Sequence, residues 1–300
     1  MKNSRNVYEE VTQKIIAHLE KGNVPWCRPF HSDAINQFPT NMSTGQRYSG
    51  INIVLLLAEE YYYPYWATFN QIKKMNGKVK KGSSATEIVY TNYIIRHKDT
   101  GEKISIQDFR ALDKETRKLY RVSKFLKFHY VFNIEQTDID PAEFIPENPM
   151  IHPIEACENV LEGYIDKPTI KHFTGDPSYS VIQDLVRMPK LEHFYSAEGF
   201  YSTLFHELIH STGHQKRLDR PTLTDIRAAF GSETYSLEEL VAEIGSGFLN
   251  YHTGIFDKTV QNSSAYLSGW IQALKADHTI ILKAASQAGK AYDYIIGKAS

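Results

Sequence analysis

The segment Phe205-His206-Glu207-Leu208-Ile209-His210 constrains this chain more than any other, because it places two imidazoles four positions apart with a carboxylate directly after the first. That spacing is about one turn of an α-helix, and side chains at i and i+4 stand on one face. The neighbouring residues agree with a helix. Leu204, Phe205, Leu208 and Ile209 form one apolar face, and His206 and His210 fall on a separate one. Ser196 is placed to cap the start, Glu198 suits the first turn, and Gly213 marks the end. Such a helix buries one face against a core and presents both histidines elsewhere. There they can share a metal ion, with Glu207 in reach of a water on that ion.

A catalytic zinc takes three protein ligands and keeps a position for water. The metzincin pattern would supply a histidine six residues after His210, where this chain has Lys216, although Gly213 matches that pattern's glycine. The third ligand is therefore sought among carboxylates. After Ser236, the residues Leu237, Leu240, Val241, Ile244 and Phe248 predict a second helix, with Glu239 and Glu243 off its apolar stripe. This acidic pair resembles the gluzincin arrangement, in which one Glu binds metal and an acid four residues later orients a histidine. Ser236 and Glu239 also read as a capping box, which would occupy the Glu239 carboxylate and pass the ligand role to Glu243. Glu239 is the preferred third ligand, Glu243 is its alternative or its support, and Glu238 comes third. Zn2+ is the expected ion, with Mn2+ or Co2+ as substitutes. Zinc brings the pKa of a bound water toward neutrality, and Glu207 would take the proton and return it to a leaving amine. Tyr195, Tyr201 and His214 are candidate donors to the developing charge, although Tyr201 projects with the apolar face.

The formal net charge of −1 conceals a division. Residues 1–136 hold 21 Lys+Arg against 13 Asp+Glu, a balance of +8, whereas residues 137–300 hold 13 against 22, a balance of −9. A basic half is the electrostatic footprint of a nucleic-acid binder; an acidic half is not. The sign changes across a segment carrying Pro141, Pro146, Pro149 and Pro153, which bars regular structure. We place a domain boundary there, giving residues 1–145 and 146–300. No apolar run approaches the roughly 18 residues of a membrane span, and the N-terminus lacks the apolar core of a signal peptide. A cytoplasmic protein without membrane contact is expected. Cys27 and Cys157 fit no paired-cysteine metal motif and are expected to be buried thiols.

In the basic half, Val7, Val11, Ile15, Ile16 and Leu19 predict a helix that stops at Gly22. Thr86 to Arg96 reads as a strand that turns at Lys98-Asp99-Thr100-Gly101 and returns over Lys103–Ile106, and Phe128 to Ile134 reads as a further strand. The fold class is α+β: a basic N-terminal domain with an antiparallel sheet, then a mainly helical domain whose last helical region runs from Ser264 to about Ile296, with Tyr266 on its stripe. Aromatic faces can stack on unpaired bases while Lys and Arg follow phosphates, so single-stranded DNA is the expected ligand of the basic half. The candidate contacts are Trp26, Arg47, Tyr48, Asn52, Trp66, Lys73, Lys78, Lys80 and Lys81. Burial in the core is the competing reading for each aromatic residue.

Val24-Pro25-Trp26, the Asn41 to Asn52 segment, Tyr65-Trp66-Ala67-Thr68-Phe69, the lysine and glycine run ending at Gly82, His206 to His214 and Glu238 to Glu243 together resemble the plasmid ArdC antirestriction family. The resemblance spans nearly the whole chain. It implies a single-stranded-DNA-binding domain, also similar to the N-terminal part of a plasmid DNA primase, followed by a zincin-like metallopeptidase domain. The implied role is protection of incoming mobile DNA from host restriction. Two activities fit that role: a peptidase acting on proteins associated with DNA, or a coat on single-stranded DNA whose metal is structural. A nuclease is disfavoured, since one His2Glu site with one general base suits amide hydrolysis better than two-metal phosphodiester cleavage.

Overall fold

The computed structural model describes residues 6–27, 38–145, 152–224, 233–255 and 267–298, with the side chains of 233–236 left out. Pro146, Pro149, Ser264 and Tyr266 lie outside the described residues. The first helix, α1 (Val7–Glu20), is capped by Asn6 and buries the predicted stripe of Val7, Val11, Ile15, Ile16 and Leu19. A five-stranded sheet follows in the order β1-β2-β5-β3-β4, from β1 (Thr40–Asn41), β2 (Tyr65–Ala67), β3 (Thr86–His97), β4 (Lys103–Ile104) and β5 (Tyr120–Asn133). It is antiparallel apart from the short parallel pair of β1 and β2. Helices α2 (Ile51–Leu57) and α3 (Phe69–Lys74) flank β2, while α4 (Ile106–Ala111) and α5 (Lys114–Arg117) lie between β4 and β5.

The returning arm of the expected hairpin is only the two residues of β4, and Ile106 opens a helix instead. The long partner of β3 is β5, which starts at Tyr120 and pairs residue by residue from Thr86↔Val131 to His97↔Tyr120. Its first seven residues are largely exposed, so no alternation of apolar burial marks them. They are strand because the ladder to β3 satisfies their backbone.

The second half adds α6 (Pro153–Gly163) and a three-stranded sheet in the order β6-β8-β7, from β6 (Thr169–His172), β7 (Ser178–Ser180) and β8 (Leu185–Met188). Then come α7 (Ala197–Thr212), α8 (Pro221–Thr224), α9 (Glu233–Thr253), α10 (Leu267–Ala276) and α11 (Ile280–Ile295). The last helical region is thus two helices, parted by an Asp277 side chain that accepts hydrogen bonds from the Thr279 backbone and hydroxyl.

One hydrophobic core draws on both sides of residue 145. It joins Val11, Ile15, Leu19 and Trp26 to Phe205, Leu208, Phe248, Leu274 and Ile281. Trp26 meets Trp270 edge-on at 5.3 Å, and Thr12 donates to the His278 carbonyl at 2.7 Å. Cys27 and Cys157 are buried thiols, as expected, and burial pushes Cys157 up to about 12.

Candidate metal centre

Helix α7 starts at the Ser196 cap, whose hydroxyl accepts the Gly199 amide, and ends at Gly213. Its apolar face, including Leu204, Phe205, Leu208 and Ile209, is in the core. Gly213 itself has an ordinary right-handed backbone, with φ −76°. What it provides is space, since a Cβ there would lie 2.9 Å from the Arg220 guanidinium and from Leu223. The partner helix α9 packs against α7 through Gly245, where a Cβ would meet Ile209 at 2.8 Å. That close crossing brings the acidic face of α9 to the histidines.

The Nε2 atoms of His206 and His210 are 3.1 Å apart, and Glu239 approaches them at 3.6 and 3.5 Å with its two carboxylate oxygens. Ligand atoms about 2.0–2.1 Å from a tetrahedral ion stand roughly 3.3 Å apart. These three residues also form the one group of His, Cys, Asp and Glu among the described residues whose ligand atoms could hold a single metal ion. The donor set therefore fits a divalent metal.

The second nitrogen of each ring meets another carboxylate. Glu243 lies 3.6 Å from His206 Nδ1, and Glu238 lies 3.2 Å from His210 Nδ1. Contacts of that kind set tautomer and ring orientation and leave Nε2 to the metal. The geometry thus separates the three acids: Glu239 faces both Nε2 atoms, Glu238 bonds the His210 ring at Nδ1, and Glu243 lies beside Nδ1 of His206. The capping alternative for Glu239 loses its basis because α9 begins at Glu233, which puts Ser236 inside the helix and not before it.

Burial alone would lower His206, but the pull of Glu239, Glu243 and Glu207 outweighs it and raises the ring to about 9. Positive charge is stabilised at this point of the molecule, the property a divalent cation needs. Glu207 is buried beside it. Burial alone would raise Glu238; its hydrogen bond with His210 and the field of Arg220 bring it down to about 2. Arg220, only 2% exposed, donates to both Glu238 oxygens at 2.6 and 3.1 Å and to the Thr212 hydroxyl and Ile209 carbonyl at the end of α7. This arginine was not singled out by sequence; the available signal was Gly213, whose missing side chain makes room for it. Of the three candidate donors, Tyr201 is buried and spends its hydroxyl on Glu158, Tyr195 is fully exposed, and His214 accepts the Lys216 amide.

The structure corrects much of the expected DNA surface. Trp26 and Trp66 are 0% and 1% exposed and cannot stack on a base. Tyr48 is buried, accepts from Asn41 and is pushed up to about 12 by burial. The Asn52 amide bonds both the N–H and the C=O of Val89, so it completes the free edge of β3. Arg47 pairs with Asp293 and sits over the rings of Phe38 and Tyr292. Lys73, Lys78, Lys80 and Lys81 are exposed, although the Lys80 ammonium donates to the Glu135 carbonyl.

Residues 5–132 match the family described as the N-terminal domain of anti-restriction factor ArdC, and residues 161–287 match the zincin-like metallopeptidase family. The crystal structure of the ArdC antirestriction protein from plasmid R388, in its metal-free form, superposes with a TM-score of 0.74 at 31% identity, over 98% of both chains. The chain belongs to the ArdC family. It is an ArdC-like antirestriction protein, with an N-terminal ArdC domain ahead of a zincin-like domain. The Mn(II)-bound form of R388 ArdC matches equally well, with a TM-score of 0.73 at 30% identity over 99% of both chains. Two Escherichia coli proteins named DNA primase TraC are 33% and 35% identical over 99% and 96% of this chain. The chain spans only 20% and 27% of their lengths. An uncharacterized Sinorhizobium fredii protein, y4eC, is 29% identical over 97% of this chain and 91% of its own length. Among the described residues, no helix is long and apolar enough to cross a membrane.

Proposed function

We propose that this ArdC-like protein binds single-stranded DNA through residues 1–145 and uses residues 146–300 to hydrolyse peptide bonds in proteins met on that DNA, within the cytoplasm. The observation that carries the hydrolytic reading is the convergence of His206 Nε2, His210 Nε2 and the Glu239 carboxylate within 3.6 Å, beside the buried Glu207. His206, His210 and Glu239 would hold the metal, with zinc as the proposed ion and Mn2+ or Co2+ able to replace it. When bound, such an ion supplies a Lewis acid and acidifies water.

The remaining steps belong to the chain's own groups. Glu243 and Glu238 hold the Nδ1 sides of the two imidazoles, so the rings keep their orientation as charge builds. Glu207 accepts a proton from the attacking water and delivers it to the leaving amine. The DNA reading is supported by one face of the paired strands β3 and β5. Opposed residues of an antiparallel pair share a face, so Tyr90 and Lys127, Asn92 and Phe125, Ile94 and Ser123, and Arg96 and Arg121 stand together. Tyr90 is 45% and Phe125 42% exposed, and neither row carries a carboxylate there. Aromatic surface interleaved with cations suits unpaired bases and phosphates.

Glu207→Gln tests the enzymatic part. The variant is expected to keep its metal, lose proteolysis and fail to protect DNA entering a restricting recipient. Full protection by the variant, with no proteolytic difference in recipient-cell proteins, would leave the metal a structural role and favour a coat on single-stranded DNA.

A further inference from the structure

Two cavities meet at Tyr90. One, of about 340 Å³, is lined by residues of the sheet region such as Asn41, Gln46 and Gln71; the other, of about 740 Å³, opens between that region and helix α11. They share Ser49, Asn52 and Tyr90. The larger has Thr91 and Leu126, a pair on the opposite face of β3–β5 from Tyr90, on the sheet side and Lys283, Ser286 and Gln287 on the α11 side. Its size is that of ligand sites in general, roughly 300–1,000 Å³, with room for a nucleoside and its phosphate.

The lining is chemically one-sided. The chain has 35 Asp+Glu, yet among the described residues no carboxylate lines either cavity. The walls instead offer amides and hydroxyls, which can bond the edges of unpaired bases. Tyr90 supplies a ring face, and Lys127 stands opposite it across the strand pair on the same face. Lys283 is exposed at the far wall, with Asp277 3.5 Å from its ammonium, a weak pairing that a phosphate can displace. In the smaller cavity Arg47 is already committed to Asp293, whereas Lys283 on the larger one has only that weak pairing.

We propose that single-stranded DNA leaves the β3–β5 face through the Tyr90 cleft, where one base stacks on Tyr90 and an adjacent phosphate meets Lys283 of α11, so that both halves of the chain hold the strand. This rests on the single-strand reading above and adds a contact that an N-terminal domain alone would lack. Because α11 packs along α9, the helix carrying Glu239, the strand lies against an element that supports the metal centre.

The test is binding of a fluorescent oligothymidylate to the full-length protein, followed by anisotropy over a range of salt concentrations, with thermal unfolding as the check on folding. Tyr90→Ala is expected to weaken binding about tenfold, and Tyr90→Phe to restore it, as loss of one stacked base requires. Lys283→Glu is expected to weaken binding several-fold and to reduce the salt slope by about one, although it lies in the C-terminal half. Lys190→Glu, which lines neither cavity, is the control and is expected to bind as wild type. If wild type binds with a clear salt dependence and both Tyr90→Ala and Lys283→Glu bind equally well, the cleft is wrong and the single-strand reading stands. If wild type shows no salt-dependent binding, that reading fails and the cleft fails with it.

Discussion

In the metal centre three carboxylates crowd two imidazoles at separations of 3.2 to 3.6 Å, whereas on the β3–β5 face Arg96, Arg121 and Lys127 stand exposed with no carboxylate in their rows. The first arrangement concentrates negative charge around a point, which suits a compact cation. The second spreads positive charge along two strands, which suits an extended polyanion. Contacts in the first are short and largely buried, so added salt screens them little; those of the second face water and weaken with ionic strength. The two regions can therefore be perturbed separately, although they share one core.

The largest effect is expected from Glu239→Ala, which should abolish retention of a divalent metal through gel filtration, read by elemental analysis, while single-strand binding persists. Glu243→Gln and Glu238→Gln should each cost about 10–100-fold in metal affinity, measured by competition with a chelating dye. If either removes the metal outright while Glu239→Ala keeps it, the assignment of roles among the three acids is wrong. Gly245→Ala forces a methyl against Ile209 and should part α7 from α9, costing about 1–3 kcal/mol in denaturant unfolding. Metal affinity should fall with it, because Glu239 moves away from the histidines.

Asp184 pairs with Arg217 at 2.8 Å and ties the β7–β8 turn to the end of α7, where Arg217 also donates to the Ser211 carbonyl. Burial raises Asp184, but hydrogen bonds from Arg217 and Tyr179 outweigh it and hold its carboxyl below the usual range. A depressed carboxyl stabilises the fold above its unfolded pKa, about 4, and that contribution is lost as pH falls through the folded value. Asp184→Asn should thus lower stability by about 1 kcal/mol at neutral pH, and the gap to wild type should close in acid. An unchanging gap from pH 7 to pH 3 would refute that linkage. The smallest effect is expected from Lys127→Glu, a few-fold loss of single-strand binding that shrinks at high salt and leaves metal content untouched.

The two regions also differ in how far a sequence discloses them. The His206–His210 spacing fixes a face within one helix, so the pair, the cap at Ser196 and the helix end could be read directly. Glu239 was reachable because it lies on a second amphipathic helix. Glu238 and Arg220 were harder to place, since their pairing depends on how α9 crosses α7 and on the space left by Gly213. The expected stacking surface departs from the structure for a different reason. Trp26, Tyr48 and Trp66 carry the residue types of a stacking surface, and those same types fill cores. The exposed aromatics of the proposed DNA face, Tyr90 and Phe125, occupy the register of two distant strands, which no local pattern announces. The three-stranded sheet ahead of α7 was missed because its strands have three or four residues each, too few for alternation to show.

In the proposed site one divalent ion is held by His206, His210 and Glu239 while Glu207 serves as base and not as ligand. Metal content measured on wild type, Glu207→Gln and Glu239→Ala, each loaded with zinc and desalted, tests it directly. Roughly one ion per chain is expected in the first two and none in the third. Loss of the ion from Glu207→Gln, or its retention by Glu239→Ala, would contradict it.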